Sequence, residues 1–248
     1  DKRATGGAVG FGKDFSEYTG GSITYRLESA EITSVADAAS LIIKDQRGHK
    51  ITSSITPMVW KDTRNNFLDP NKGERHTFTF TLAGLGGDNY FTKTIADSVW
   101  YFPTPLNTTF SIRGRVGYAY GFNGERLPLY ERFYVGGIST IRGLGFGEGG
   151  PRNENGDKIG GHWQTLLNTE ISFPLVEEIK LKGVVFIDVG GAFDKNEDVT
   201  ASDFRRTAGF GFRWHSPFGP LRLEWGFNLD PKFDEGDNKI EFSVGGLL

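Results

Sequence analysis

The chain has 248 residues, with 28 basic and 31 acidic side chains and a formal net charge of −3. This balance argues against a dedicated nucleic-acid-binding protein, which usually carries an excess of basic residues. The absence of cysteine excludes disulfides and thiolate metal sites.

The rest of the composition favours strands. The chain has 35 glycines and 21 phenylalanines, and aromatic side chains suit pleated sheets while glycine suits turns. No run of about 18 apolar residues occurs, so the sequence predicts no transmembrane helix. The start, DKRATGG, lacks the apolar core of a signal peptide. A membrane β-barrel agrees with these features, because its alternating strands have low average hydropathy.

Alternation of apolar and polar residues predicts about eleven strands, mostly of about ten residues. In chain order they lie near residues 6–13, 21–31, 51–60, 76–84, 90–102, 108–122, 163–173, 181–193, 204–215, 220–230 and 240–248. About ten residues is the length that a tilted strand needs to cross a membrane.

The strand at 108–122 has two contrasting faces. Phe110 and Val116 belong to its apolar row, and Arg113 and Arg115 to the other. An arginine facing lipid at mid-membrane costs roughly 2–4 kcal/mol, so we expect the arginine face to line a polar interior. A soluble β-sandwich would also alternate in this way, but long apolar rows with aromatic ends are typical of a membrane barrel.

The connections between strands alternate in length. Those after the odd-numbered strands are compact, and most of those after the even-numbered strands are longer. Short turns on one rim and long loops on the other are typical of outer-membrane barrels, with the short turns on the periplasmic side. Because bacterial single-chain barrels have even strand numbers, we expect the eleven strands to belong to a larger barrel.

The longest connection, residues 123–161, contains the glycine-rich stretch FYVGGISTIRGLGFGEGGPR. This stretch resembles the sixth extracellular loop of the Omp85 superfamily, most closely of its outer-membrane barrel-assembly factors. The turn DTRNNFLDPNKGER, the strand GVVFIDVGGAF and the segment FGFRWHSPFGPLRLEWGFNLDP resemble the same proteins. The family motif V/I-R-G-F and the glycines before it correspond to Ile141, Arg142, Gly143, Leu144, Gly136 and Gly137, with leucine in place of the usual aromatic residue.

The resemblance covers essentially the whole chain. It implies one domain over residues 1–248, an all-β antiparallel transmembrane barrel with a long lumenal loop. The family barrel has sixteen strands, so the resemblance also implies that POTRA domains and the first strands are absent from this chain.

In the family the loop folds back into the lumen, where its arginine meets an acidic group on the inner wall. Strand parity identifies candidates here: the outward apolar row of the strand at 181–193 sends Phe186 and Asp188 inwards, and the preceding strand sends Glu170 inwards. A guanidinium buried in a lumen needs carboxylate partners. We therefore expect Arg142 with Asp188 and Glu170 to pin the loop, with Phe186 beside them.

The resemblance implies a function without catalysis or a cofactor: the insertion and folding of other barrels in the outer membrane. The implied partners are unfolded outer-membrane proteins as clients, accessory assembly lipoproteins and the lipid bilayer, with no nucleic acid. Clients would pair with an opened seam between the first and last strands. The seam residues on the last strand would be Phe242, Gly245, Gly246 and Leu248. The two glycines weaken the pairing edge, and Leu248 stands where the family usually has an aromatic residue.

Other functions stay open at this point. A translocation factor of the same superfamily or a two-partner secretion transporter would share the arginine loop, whereas a passive porin would conduct ions freely.

The other motifs in the sequence give little support for a ligand-binding or catalytic site. Gly145, Gly147 and Gly150 satisfy the dinucleotide pattern G-x-G-x-x-G, but the following PRNENGDK cannot open the helix that this pattern requires. The NENGD segment at 153–157 lacks the complete calcium-loop pattern. The four histidines have no catalytic or metal-binding spacing.

Overall fold

The computed structural model describes residues 2–33, 44, 47–216, 219–232 and 235–245. Within these residues eleven strands form one sheet. The strands are β1 (Lys2–Asp14), β2 (Thr19–Ile32), β3 (Gly48–Asp62), β4 (Gly73–Gly87), β5 (Phe91–Thr104), β6 (Thr108–Gly121), β7 (Trp163–Val176), β8 (Leu181–Phe193), β9 (Arg205–Ser216), β10 (Gly219–Asn228) and β11 (Asn238–Val244). No helix in the described part of the chain has the length and apolar character needed to cross a membrane.

Each strand pairs with its neighbour in the sequence, and every pairing is antiparallel. The expected all-β antiparallel architecture with about eleven strands is confirmed. Most strands are longer than predicted, up to 15 residues in β3 and β4, because the hydrogen-bonded ladders extend past the apolar rows. The strand predicted at 76–84 continues to Gly87 in β4, next to a register shift between Thr52 and Ser54.

The two faces of the sheet differ as their alternation predicts. On β6, Val116 and Tyr118 are 52% and 50% exposed, whereas Arg113 and Ala119 on the opposite face are 6% and 0% exposed. On this strand the outer face therefore presents an apolar surface, and the inner face is covered.

Antiparallel pairing places alternate connections on opposite rims of the sheet. The short-turn rim contains the connections at 15–18, 63–72, 105–107, 177–180 and 217–218, and the long-loop rim contains those at 33–47, 88–90, 122–162, 194–204 and 229–237. Residues 217–218 and much of the 33–47 connection lie outside the described residues. The alternation of short and long connections agrees with the sequence pattern.

The connection at 122–162, which we call the Arg loop, covers the inner face. Its apolar side chains join those of the strands in one buried cluster, which contains Leu127, Phe133, Val135, Ile141 and Leu144 from the loop and Ala83, Phe91, Ala119, Leu166 and Ala192 from the sheet. The small alanines on the wall leave room for the larger side chains of the loop. Burial of this apolar surface holds the Arg loop against the sheet.

Candidate functional site

The Arg loop is closed at its base by a short bridge. Phe133 and Gly161 exchange two backbone hydrogen bonds of 2.9 and 2.8 Å. A 3-10 turn at Leu129–Glu131 precedes the bridge, and Glu131 accepts hydrogen bonds from Arg26 on β2 and Lys93 on β5. The loop is thus attached to distant strands before it reaches its arginine.

The glycines before and within the motif permit a tight turn and a close backbone contact. Gly136 has φ +131°, and a Cβ there would lie 1.9 Å from the carbonyl oxygen of Gly145. Gly143 has φ +89°, and a Cβ there would lie 2.7 Å from the carbonyl carbon of Gly226 on β10. Only glycine meets both the left-handed conformation and the close approach. The motif therefore lies directly against the inner wall.

Arg142 is 1% exposed and binds the wall through both its side chain and its backbone. Its Nε and Nη2 donate to the two oxygens of Asp188 on β8 at 2.8 and 2.7 Å. Its backbone N–H donates to the same carboxylate at 3.0 Å. Nη1 donates to Glu170 on β7 at 2.7 Å and to Glu224 on β10 at 3.4 Å. The structure thus brings together Arg142, Asp188 and Glu170.

Phe186 lies beside this contact. The guanidinium carbon of Arg142 lies 3.7 Å from the centroid of the Phe186 ring, within the range of a cation–π interaction. Gly209 on β9 makes room for the ring, because a Cβ at that position would lie 2.4 Å from Phe186 Cζ. The ring covers one face of the guanidinium while the carboxylates occupy its edge.

A network of charged side chains surrounds Arg142. Its three guanidinium groups and three carboxylates belong to Arg142, Arg213, Arg222, Glu170, Asp188 and Glu224. The charges balance, and the guanidinium groups supply forked donors to the carboxylates. Removal of one member of such a buried set leaves an unpaired charge and typically costs about 3–5 kcal/mol.

Two contacts of the motif were not predicted. The first is the 3.4 Å contact between Arg142 Nη1 and Glu224 on β10. Glu241 on β11 accepts a 3.2 Å hydrogen bond from the backbone N–H of Gly143. Alternation along β11 places Glu241 on the inner face, so that signal was present in the sequence. Through these contacts the motif reaches β7, β8, β10 and β11.

The structure describes two of the four residues assigned to the seam. Phe242 is 63% exposed on the outer face of β11, and Gly246 and Leu248 lie outside the described residues. Gly245 follows the end of β11, with φ +78° and a 2.8 Å hydrogen bond from its N–H to Pro220 O. It was expected to weaken the pairing edge. In the structure it adopts a left-handed conformation directly after the strand.

A second buried ion pair lies on the long-loop rim, and no sequence motif predicts it. Arg205 of β9 donates from Nη1 to Glu235 at 2.8 Å and from Nη2 to the carbonyl oxygen of Asp230 at 2.9 Å. Burial alone would raise the pKa of Glu235, but hydrogen bonds from Arg205 and from the Lys232 backbone lower it to about 2. The carboxylate therefore stays ionised and attaches the connection after β10 to β9.

The family comparison matches nearly the whole chain. The model of the Omp85 superfamily domain matches residues 1–246. The outer membrane protein assembly factor BamA of Nitratidesulfovibrio vulgaris is 32% identical over 251 residues, which cover 98% of this chain and 32% of that protein. BamA of Neorickettsia risticii is 29% identical over 208 residues, which cover 81% of this chain and 28% of that protein. The chain thus spans about a third of the length of these relatives.

A solved structure has the same fold. The crystal structure of BamA from Haemophilus ducreyi lacking POTRA domains 1–3 superposes with a TM-score of 0.84 at 17% identity. The match covers 98% of this chain and 54% of that one. The eleven-stranded sheet corresponds to a part of that barrel.

Proposed function

This chain belongs to the Omp85 superfamily, and on that premise we propose that it forms part of an assembly factor that inserts and folds other β-barrel proteins. It is an integral outer-membrane protein. Because it spans about a third of the relatives' length, the activity is proposed for the whole protein to which these strands belong. Its clients are unfolded outer-membrane proteins, and accessory assembly lipoproteins are its partners.

The observation that supports this function most directly is the buried Arg142 contact. A loop that only covered a pore would not need a forked ion pair, a cation–π contact and a glycine–glycine approach at one point. The contact fixes the Arg loop to β7, β8 and β10. In our proposal this contact keeps β7, β8 and β10 rigid while strand pairing changes elsewhere in the sheet.

We place the changing part at the last strand. β11 has seven residues, against 10 in β10 and 12 in β9, so it is held by a short ladder. An incoming client strand would add to a free edge there through main-chain hydrogen bonds, which give affinity without requiring a particular sequence. No covalent bond forms or breaks in this step. Phe242 and Gly245 are the described residues of the proposed seam.

The test is an assembly assay with the full-length protein in liposomes. An unfolded outer-membrane barrel is added as client, and its folded fraction is read from its migration on gels without boiling. We expect Arg142→Ala and Asp188→Ala to slow client folding at least tenfold, since either change leaves a buried charge unpaired. Glu154→Ala, which removes an exposed charge from the same loop, is the control and should keep the wild-type rate.

Two results would contradict the proposal. Wild-type rates in both variants would remove the Arg142 contact from the mechanism. Ion conductance through the wild-type protein together with an absence of client folding would favour a passive pore.

A further inference from the structure

Two cavities share Lys195 in their linings. The lower one, of about 520 Å³, opens on the lipid-facing surface, and its main lining residues are Phe78, Ala96, Val116, Tyr118 and Trp163. The upper one, also of about 520 Å³, lies at the long-loop rim, and its polar lining includes Arg126, Arg132, His162, Asp194 and Glu125. An apolar cavity is thus continued towards the rim by a charged one.

The lower cavity arises from small side chains between large ones. Ala96 on β5 stands in register between Phe78 on β4 and Val116 on β6. One pair further along, Thr94 stands between Phe80 and Tyr118. The outer face of β5 is therefore recessed, and the recess forms a groove bounded by larger apolar side chains. A groove of this shape on a lipid-facing surface accommodates a hydrocarbon chain.

The upper cavity contains a buried cation. Arg132 is 8% exposed, and its Nε has no hydrogen-bond partner among the described residues. A buried guanidinium atom without a partner is costly. Asp194, which lies 2.6 Å from His162 Nδ1, attracts Arg132 electrostatically but accepts no hydrogen bond from its Nε, and Glu125 lies 3.6 Å from Lys50 Nζ. Arg132 is therefore placed to bind an anion from outside the chain.

We propose that these cavities together bind a lipid with a phosphorylated headgroup. One acyl chain lies in the groove over Ala96, and the phosphate accepts hydrogen bonds from Arg132 and Lys195. Charged donors form strong hydrogen bonds with phosphate oxygens. A lipid, rather than a free anion, is the occupant because the apolar groove adjoins the cationic cavity at the membrane boundary. The proposal depends on the membrane location of the sheet and not on the assembly activity.

The test measures lipid retention by native mass spectrometry on the purified full-length protein. Phosphatidylglycerol and phosphatidylcholine are added in equal amounts. We expect the wild type to retain phosphatidylglycerol preferentially, and Lys195→Ala to lower that retention about fivefold, the effect of removing one basic group near anionic lipid. Ala96→Phe fills the groove and should cause a similar loss. Both positions are away from the Arg142 network, so the variants are expected to fold.

Lys72→Ala removes an exposed charge from the short-turn rim and is the matched control, with no change expected. Equal retention of the two lipids, or undiminished retention in Lys195→Ala and Ala96→Phe, would overturn the proposal. Displacement of phosphatidylglycerol by millimolar inorganic phosphate, with Ala96→Phe unaffected, would identify a site for free anions and would also overturn it. The client-folding assay is independent of these readouts, so failure of one proposal leaves the other testable.

Discussion

At the scale of single residues, the glycine pair Gly143 and Gly226 controls how closely the motif approaches the wall. A Cβ on Gly226 would lie 2.6 Å from both the backbone N and the Cα of Gly143. Gly226→Ala must therefore displace the motif from β10. We expect a loss of about 1–3 kcal/mol, typical of overpacking, measured as a lower urea midpoint for loss of the folded band on unboiled gels.

Gly114→Ala is the matched control for this prediction. Gly114 is also a strand glycine, on β6, but a Cβ there meets nothing within 4 Å. This variant should unfold at the wild-type urea concentration or above it. Equal destabilisation of the two variants would attribute the effect to strand glycines in general and not to the contact with Gly143.

The alternation of side chains along the strands predicts which carboxylates of the site face inwards. Alternation places Asp188 and Glu170 on the inner face, and the structure puts both against Arg142. It cannot say which inward carboxylates reach the same guanidinium, because that depends on the curvature of the sheet and the path of the loop. Glu241 therefore escaped prediction, although its inward direction can be read from the sequence.

At the scale of elements, the strands were predictable and their ends less so. The two-residue period identifies every strand because one face meets lipid and the other a covered interior. The ends of the strands depend on backbone pairing. Glycine allows this pairing but has no side chain that would extend the alternation of apolar and polar residues. Both β4, which continues to Gly87, and β11, which ends before Gly245, differ from the expected bounds for this reason. The Arg205–Glu235 pair joins two elements and has no local signal.

From the Arg205–Glu235 pair we predict that the attachment of the connection after β10 to β9 depends on pH. The pKa of Glu235 is lowered to about 2 from an ordinary value of 4.5. A lowered folded-state pKa stabilises the fold above the ordinary value, and this stabilisation is lost as the pH falls from about 4.5 to about 2. We expect proteolysis of the 229–237 connection by pepsin to increase between pH 4.5 and pH 2.

Glu235→Gln is the control for the acid response. It removes the titrating group, so the connection should already be cleaved faster at pH 4.5 and should change little on further acidification. A wild-type connection that is equally resistant at pH 4.5 and pH 2 would show that the Arg205 contact does not depend on this carboxylate.

At the scale of the whole molecule, the Arg loop stabilises some strands of the sheet more than others. Its core side chains and Arg142 contact the middle and the later strands, whereas residues 3–14 of β1 are all exposed. The Arg loop thus connects strands that are not neighbours in the sheet. The part of the sheet from β7 to β10 should open as one cooperative unit.

Hydrogen exchange on the full-length protein in nanodiscs tests this unit. In the wild type, we expect slow exchange in β7–β10 and faster exchange in β11, whose ladder has seven residues. Arg142→Ala leaves the carboxylates of Glu170 and Asp188 without their shared partner, at a cost of about 3–5 kcal/mol. Exchange in β7, β8 and β10 should then accelerate by about a hundredfold to a few thousandfold, at 1.36 kcal/mol for each factor of ten, while β1–β3 keep their rates and act as the internal control. Uniform acceleration across all strands would mean that the sheet opens as a whole and that the Arg loop does not define a separate unit.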